Sequence, residues 1–195
     1  MRQKRLLFSW TPRKNHFRKE FDLKKAVADT SALISLSFSG RLNLVAQTIQ
    51  IMAPEQVKCE LEEIAGFEDE KANAAKEVLS LIKKKDILVH PVLDRKKAEA
   101  LVNKNTDYGE AECFELAVEQ KINALIMDDL NASYMLAGIA KAQEISIKIS
   151  AAAIVELANQ GKLSKKEAKE SLLKMVKHRK WEKTTLEYLI EKYLP

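Results

Sequence analysis

The chain reads as an α/β protein: a three-layer α/β/α sandwich around a central parallel sheet, followed by C-terminal helices. Two observations predict this. From Ala26 onward, short apolar runs of strand length alternate with amphipathic helical stretches, the order that builds parallel sheets covered on both faces. The 195 residues, 46% hydrophobic and 31% charged, are also enough for one domain with a substantial core.

The elements follow in order. Residues 1–25 show no clear period and form a basic arm that leads into the first strand, "AVAD". "TSALISLSFSG" is a helix stopped by Gly40, and "TIQIMAP" is a second strand ended by Pro54. "EQVKCELEEIAG" and "EKANAAKEVLSLIKKK" are helices, and "DILVHP" is a strand. "RKKAEALVNKN" and "GEAECFELAVEQK" are helices before the strand "INALIM". "LNASYMLAGIAKAQ" is a helix and "ISIKIS" a last strand. Residues 26–150 thus form the main domain, and residues 151–195 form a helical extension packed on it. In that extension Ser164 with Glu167, and Thr184 with Glu187, fit the capping-box pattern. Leu172, Leu173 and Val176, then Leu186, Leu189, Ile190 and Tyr193, supply apolar stripes.

Composition removes several function classes. No run approaches the roughly 18 apolar residues that span a membrane, and "LLFSW" is too short for a signal-peptide core. Cys59 and Cys113 stand apart, so a disulfide framework or zinc site has no support, and both thiols read as small buried groups of a reduced cytoplasmic protein. Charge is segregated. Residues 1–25 hold nine Lys/Arg against two Asp/Glu, a net +7; residues 26–150 hold fourteen against twenty, a net −6; residues 151–195 hold ten against six, a net +4. Basic ends around an acidic middle suit a partner that carries phosphates, or are simply solvated faces.

The acids of the middle segment carry the chemistry. Asp29 directly follows the first strand and Asp128 directly follows "NALIM". In parallel α/β sheets, ligands gather beyond the carboxyl ends of strands, although a lone Asp there also serves as a helix N-cap. Glu60 lies three residues after Val57 and four before Ile64, at the edge of an apolar stripe. Glu110 precedes Cys113, Phe114 and Ala117 by three, four and seven residues, again on the apolar side. Glu112, the weaker alternative, lines up with Glu115 and Glu119 in a row that reads as solvated. Four converging carboxylates without Lys or Arg partners repel one another and call for a cation. Hard oxygen donors select Mg²⁺ or Mn²⁺, ions that suit phosphodiester hydrolysis.

"VADTSALISL", "APEQVKCEL", "DYGEAECFELA" and "ALIMDDLNA" resemble, in order and spacing, the PIN-domain nucleases over about residues 26–150. The resemblance implies a compact α/β/α sandwich, an acidic site for one or two Mg²⁺ or Mn²⁺ ions, and endonucleolytic cleavage of RNA. It places the family's four acids on Asp29, Glu60, Glu110 and Asp128, with Asp129 as a close rival for the last. Ser31 matches the small hydroxyl residue beside the first Asp, where the family holds a water at the metal. Many relatives are homodimeric toxins silenced by an antitoxin protein, and others process RNA. One departure stands out: relatives often carry "DDxxAR", and Ser133 occupies the arginine position here.

The chief rival is a PIN-like module that binds RNA or protein without cutting. A haloacid-dehalogenase-type phosphatase needs a second Asp two residues after the first, where this chain has Ser31. Lys83–Lys85, Arg95–Lys97 and His178–Lys180 are basic clusters with the chemistry to contact backbone phosphates, and equally the composition of solvated faces. Trp181 and Tyr193 are candidates to stack a base, though helix packing explains them as well. His16, His90 and His178 show no catalytic spacing.

Overall fold

The computed structural model describes residues 23–193, so the basic arm lies almost wholly outside the described residues. Five strands, β1 (Lys25–Ala28), β2 (Gln50–Pro54), β3 (Ile87–His90), β4 (Ala124–Ile126) and β5 (Ser146–Lys148), form one all-parallel sheet in the order β3-β2-β1-β4-β5. The chain builds outward from β1 through β2 to β3, then returns to the other side of β1 for β4 and β5. Strand order therefore reverses between β1 and β4. Their register aligns Val27 with Leu125 and Ala28 with Ile126, so the two strands end side by side.

Ten helices lie among the described residues: α1 (Thr30–Phe38), α2 (Leu42–Thr48), α3 (Glu55–Ala65), α4 (Glu70–Lys84), α5 (Arg95–Leu101), α6 (Tyr108–Glu119), α7 (Leu130–Ala142), α8 (Ser150–Asn159), α9 (Lys165–Arg179) and α10 (Thr185–Tyr193). The sheet and the helices together make the expected α/β/α sandwich. Helix α1 buries six residues in succession, Ala32 to Ser37, because α4, α8 and α9 all pack on it. A helix apolar on all sides belongs in an interior, and its hydroxyls are satisfied there: Ser35 donates to the Ser31 carbonyl and Ser37 to Glu77 of α4. Helix α6 lies across β1, β2 and β4, its residues Ala111–Ala117 buried.

Several expectations need correction. Glu112 and Glu115 are not solvated, at 3% and 4% exposure, because α5 covers that face of α6. Lys97 of α5 stands 3.9 Å from Glu115, burial raises the Glu115 carboxyl above its usual range, and Glu119 accepts the Leu93 and Asp94 N–H groups. Cys59 is exposed and only Cys113 is buried. Helix α2 was not anticipated: it is seven residues long, too short for its buried Leu42 and Val45 to show a period. Ser164 and Glu167 form the expected capping box, but Thr184 and Glu187 do not. The Thr184 hydroxyl donates to the Trp181 carbonyl, and Glu187 accepts the Lys183 N–H.

Two of the three basic clusters are partly occupied within the fold. Arg95 pairs with Glu55 and Lys97 with Asp94, while His178 stacks on Phe38 and bonds Glu70 at 2.9 Å. The apolar stripes of α9 and α10 pack inward through Leu172, Val176 and Ile190. Among the described residues no helix is long and apolar enough to cross a membrane.

Candidate active site

The reversal between β1 and β4 opens the kind of crevice in which parallel α/β proteins bind ligands, and the sequence puts an aspartate at each lip. Asp29 immediately follows β1, and its N–H donates to the carbonyl of Ile126 in β4 at 3.1 Å. Asp128 comes two residues after Ile126, so backbone pairing holds both acids at one end of the sheet. Both are nearly out of solvent, at 4% and 8% exposure.

Each carboxylate is held in place by its own contacts. Asp29 caps α1: its Oδ1 accepts the Ala32 N–H at 2.6 Å, and the Ser31 hydroxyl donates to Oδ2 at 3.0 Å. Ser31 is thus a support for Asp29 rather than an independent group. Asp128 does not cap α7. It turns instead to the start of α8, where the Ser150 N–H donates to Oδ1 and the Ser150 hydroxyl to Oδ2, both at 2.8 Å. Asp129 does cap α7, its exposed carboxylate accepting the Asn131 and Ala132 N–H groups. The adjacent aspartates divide their roles in this way.

Glu60 and Glu110 approach from α3 and α6. The Glu60 carboxylate accepts from the Thr30 hydroxyl at 2.5 Å and from the Gln56 amide at 3.2 Å. It lies against the first turn of α6, where a Cβ on Gly109 would fall 2.5 Å from Glu60 Oε1. Only glycine leaves that space open. Glu110 completes a capping box with Asp107, its Oε2 accepting the Asp107 N–H at 2.9 Å while its own N–H donates to Asp107. Glu112 is not part of this group and sits beside Tyr108, whose hydroxyl is raised above its usual range by burial and then by Glu112.

Thr30, Gly109 and Ser150 were not singled out from sequence. Thr30 and Gly109 lie inside the quoted motifs, next to acids that were recognised. Ser150 carried no local signal, because it reaches Asp128 across 22 residues.

A model of the PIN-domain family matches residues 25–192. The chain belongs to the PIN-domain family. No curated protein and no solved structure gives a significant match. The PIN domain is in general a nuclease fold, and its nucleases typically use divalent metals. The match takes in α8, α9 and most of α10, the helices that the sequence reading set apart as an extension.

Two of these carboxyls are held well above the ordinary carboxylate range. Burial pushes the Asp29 carboxyl up to about 8, with Asp128 and Glu110 adding repulsion against the Ala32 and Ser31 hydrogen bonds. Burial pushes Glu110 up to about 7, with Asp107, Asp129 and Glu60 adding to it. Among the described residues no Lys or Arg forms an ion pair with Asp29, Glu60, Glu110 or Asp128.

An all-carboxylate donor set suits a hard divalent cation. As the side chains stand, however, no three acids, histidines or cysteines among the described residues are close enough to hold one. Glu110 is turned to its cap, Asp128 to Ser150, and Glu60 to Thr30 and Gln56.

Two outcomes follow. Gly109→Ala should leave the melting temperature nearly unchanged, since the displaced group is the end of a flexible side chain. It should weaken divalent-metal affinity about 10–100-fold, the usual effect of disturbing a ligand's support; unchanged affinity by calorimetry would remove Glu60 from the site. The second outcome concerns pH. The folded-state pKa of Asp29 is raised, so its stabilising contribution is complete below the unfolded value near 3.8 and is lost as pH rises toward about 8. In EDTA the chain should melt at a higher temperature at pH 5.5 than at pH 8, with a slope of up to about 1.4 kcal/mol per pH unit from this one group. Mg²⁺ should restore more stability at pH 8 than at pH 5.5.

Proposed function

We propose that this PIN domain is a Mg²⁺- or Mn²⁺-dependent endoribonuclease. The observation that carries the reading is Asp29, buried beside Asp128 and Glu110, pushed up to about 8, and given no cationic partner among the described residues. Asp29 and Asp128 would hold the metal from the strand ends, and Glu60 and Glu110 from the flanking helices. A bound divalent ion supplies charge neutralisation at the phosphodiester and activation of water.

The chain's own groups would do the rest. Ser31 and Ser150 fix the two aspartates, so their lone pairs face the site in one orientation. Gly109 lets Glu60 approach the start of α6, and Thr30 keeps it there. Ser133, at the position where relatives carry arginine, has a buried hydroxyl without a partner among the described residues and contributes no positive charge. Neutralising the scissile phosphate then rests more heavily on the cation.

The test incubates purified protein with single-stranded and structured RNA, with Mn²⁺ or with EDTA, alongside Asp29→Asn. Cleavage by the wild type in Mn²⁺, abolished in EDTA and lowered at least 100-fold in the variant, is the expected result. Cleavage that persists in EDTA or in Asp29→Asn contradicts the mechanism. RNA binding without cleavage, and without heat on Mn²⁺ titration, would support the alternative of a catalytically silent binding module. A toxin role adds one requirement: growth arrest on expression that Asp29→Asn abolishes and a co-expressed antitoxin relieves.

A further inference from the structure

Beside the acid cluster lies a second feature that the hydrolytic chemistry does not use. A cavity of about 340 Å³ opens between the end of β4 and the C-terminal helices. Its walls are mostly apolar, formed by Leu130, Ile149, Leu186 and Leu189, with Trp181, Thr184 and Asp128 completing it. Asp128 belongs to both places, so whatever enters the cavity lies directly beside the carboxylates.

The aromatic wall is held by backbone. Helix α9 ends with Lys180 in the left-handed region at φ 56°. The Trp181 N–H returns to the Val176 carbonyl at 2.8 Å and the Lys180 N–H to the Lys177 carbonyl at 3.2 Å, the paired bonds of a Schellman motif. The Trp181 carbonyl in turn accepts the Thr184 hydroxyl at 2.6 Å, which bends the chain into α10 and brings Leu186 and Leu189 over the cavity. The Arg179 guanidinium sits 5.3 Å from the Trp181 ring centroid. Its Nε–H is buried without an acceptor, and among the described residues no carboxylate pairs with it.

We propose that this cavity is a base-binding subsite, taking one unpaired nucleobase of the RNA strand next to the scissile phosphate. The inference rests on the ribonuclease reading of the site itself. A flat π-system fits apolar walls beside an indole ring, and stacking of bases on aromatic side chains is the usual way single-stranded RNA is held. Arg179 places a cation over one face of the ring and gives the adjoining phosphate an unpaired positive charge. The cavity lies at the lower end of the roughly 300–1,000 Å³ range of small-ligand pockets, so it admits a single base and excludes a base pair. Trp181 is then a binding residue: it holds a base beside the cut, with only the modest base preference that stacking strength confers, while the carboxylates govern the chemical step.

The experiment uses the full chain with Trp10→Phe, leaving Trp181 as the single tryptophan. Short single-stranded homopolymer RNAs are titrated against its fluorescence in EDTA, and KM, kcat and base preference at the cut are measured in Mn²⁺. Saturable quenching by single-stranded but not double-stranded RNA is expected. Trp181→Ala, its binding followed by the anisotropy of end-labelled RNA, should bind roughly 5- to 100-fold more weakly, the range for loss of one base stack, raise KM more than it lowers kcat, and flatten base preference. Trp181→Phe should recover most of this. If Trp181→Ala misfolds, Leu189→Trp fills the cavity without adding charge and should produce the same KM effect.

Cleavage with unchanged KM and base preference in both variants, and no quenching, would overturn the subsite while leaving the nuclease reading intact. Absence of cleavage by the wild type would defeat the nuclease reading instead, and quenching with weakened binding by Trp181→Ala would still uphold the subsite. Quenching by an amphipathic helical peptide but not by RNA would assign the cavity to a protein partner and overturn the proposal.

Discussion

Two aspartates withdrawn from water beside each other, with no Lys or Arg paired to them among the described residues, are the constraint on which this molecule turns. A buried carboxylate is tolerated when it is paired, hydrogen-bonded or protonated. Asp29 has its hydrogen bonds, from Ala32 and Ser31, and Asp128 has both of those from Ser150. Those bonds orient the carboxylates without removing the mutual repulsion, and burial holds the Asp29 proton up to about 8. A soluble domain that needed only a helix cap at this position would gain nothing from that arrangement. In the proposed function a divalent ion would satisfy several of these carboxylates at once.

The fold produces this neighbourhood by topology. Because β4 pairs with β1 from the side opposite β2, the carboxyl ends of two strands far apart in sequence lie together. Helices α3 and α6 then carry a glutamate each toward the same end. At Gly109 the Glu60 carboxylate occupies the space that a Cβ would take. The C-terminal helices complete the arrangement: α8 supplies Ser150 to Asp128, α9 places Met175 against Ser150 at 3.4 Å, and α10 walls the adjoining cavity. These helices are built into the surroundings of the acids.

Much of this was legible in the sequence because it is local. Strand and helix periods between Ala26 and Ser150 read directly except for the short α2, and Asp29 and Asp128 stood out where an apolar run stops at an acid. Asp129, read as a rival of Asp128 for the same role, caps α7, which two adjacent aspartates before a helix do not decide by themselves. What was hidden depends on contacts between distant segments. Glu112 and Glu115 look solvated by spacing and are buried because α5 lies over them. Ser150 has no motif and meets Asp128 only once β4 and β5 are adjacent. Glu110 met the rule for a buried-edge acid and the rule for a capping box at once, and the pattern "DYGE" does not separate the two uses. Thr184 followed a capping pattern that the turn at Trp181 redirected.

The central claim is that Asp29 is a protonated, metal-seeking carboxyl, and its titration tests that most directly. The measurement follows the Asp29 side-chain carbon by NMR across pH 3 to 10, in EDTA and again in saturating Mg²⁺. The account expects a midpoint near 8 without metal, moving down by several pH units when Mg²⁺ is present. A midpoint near the ordinary value of about 3.9, unmoved by Mg²⁺, would contradict it.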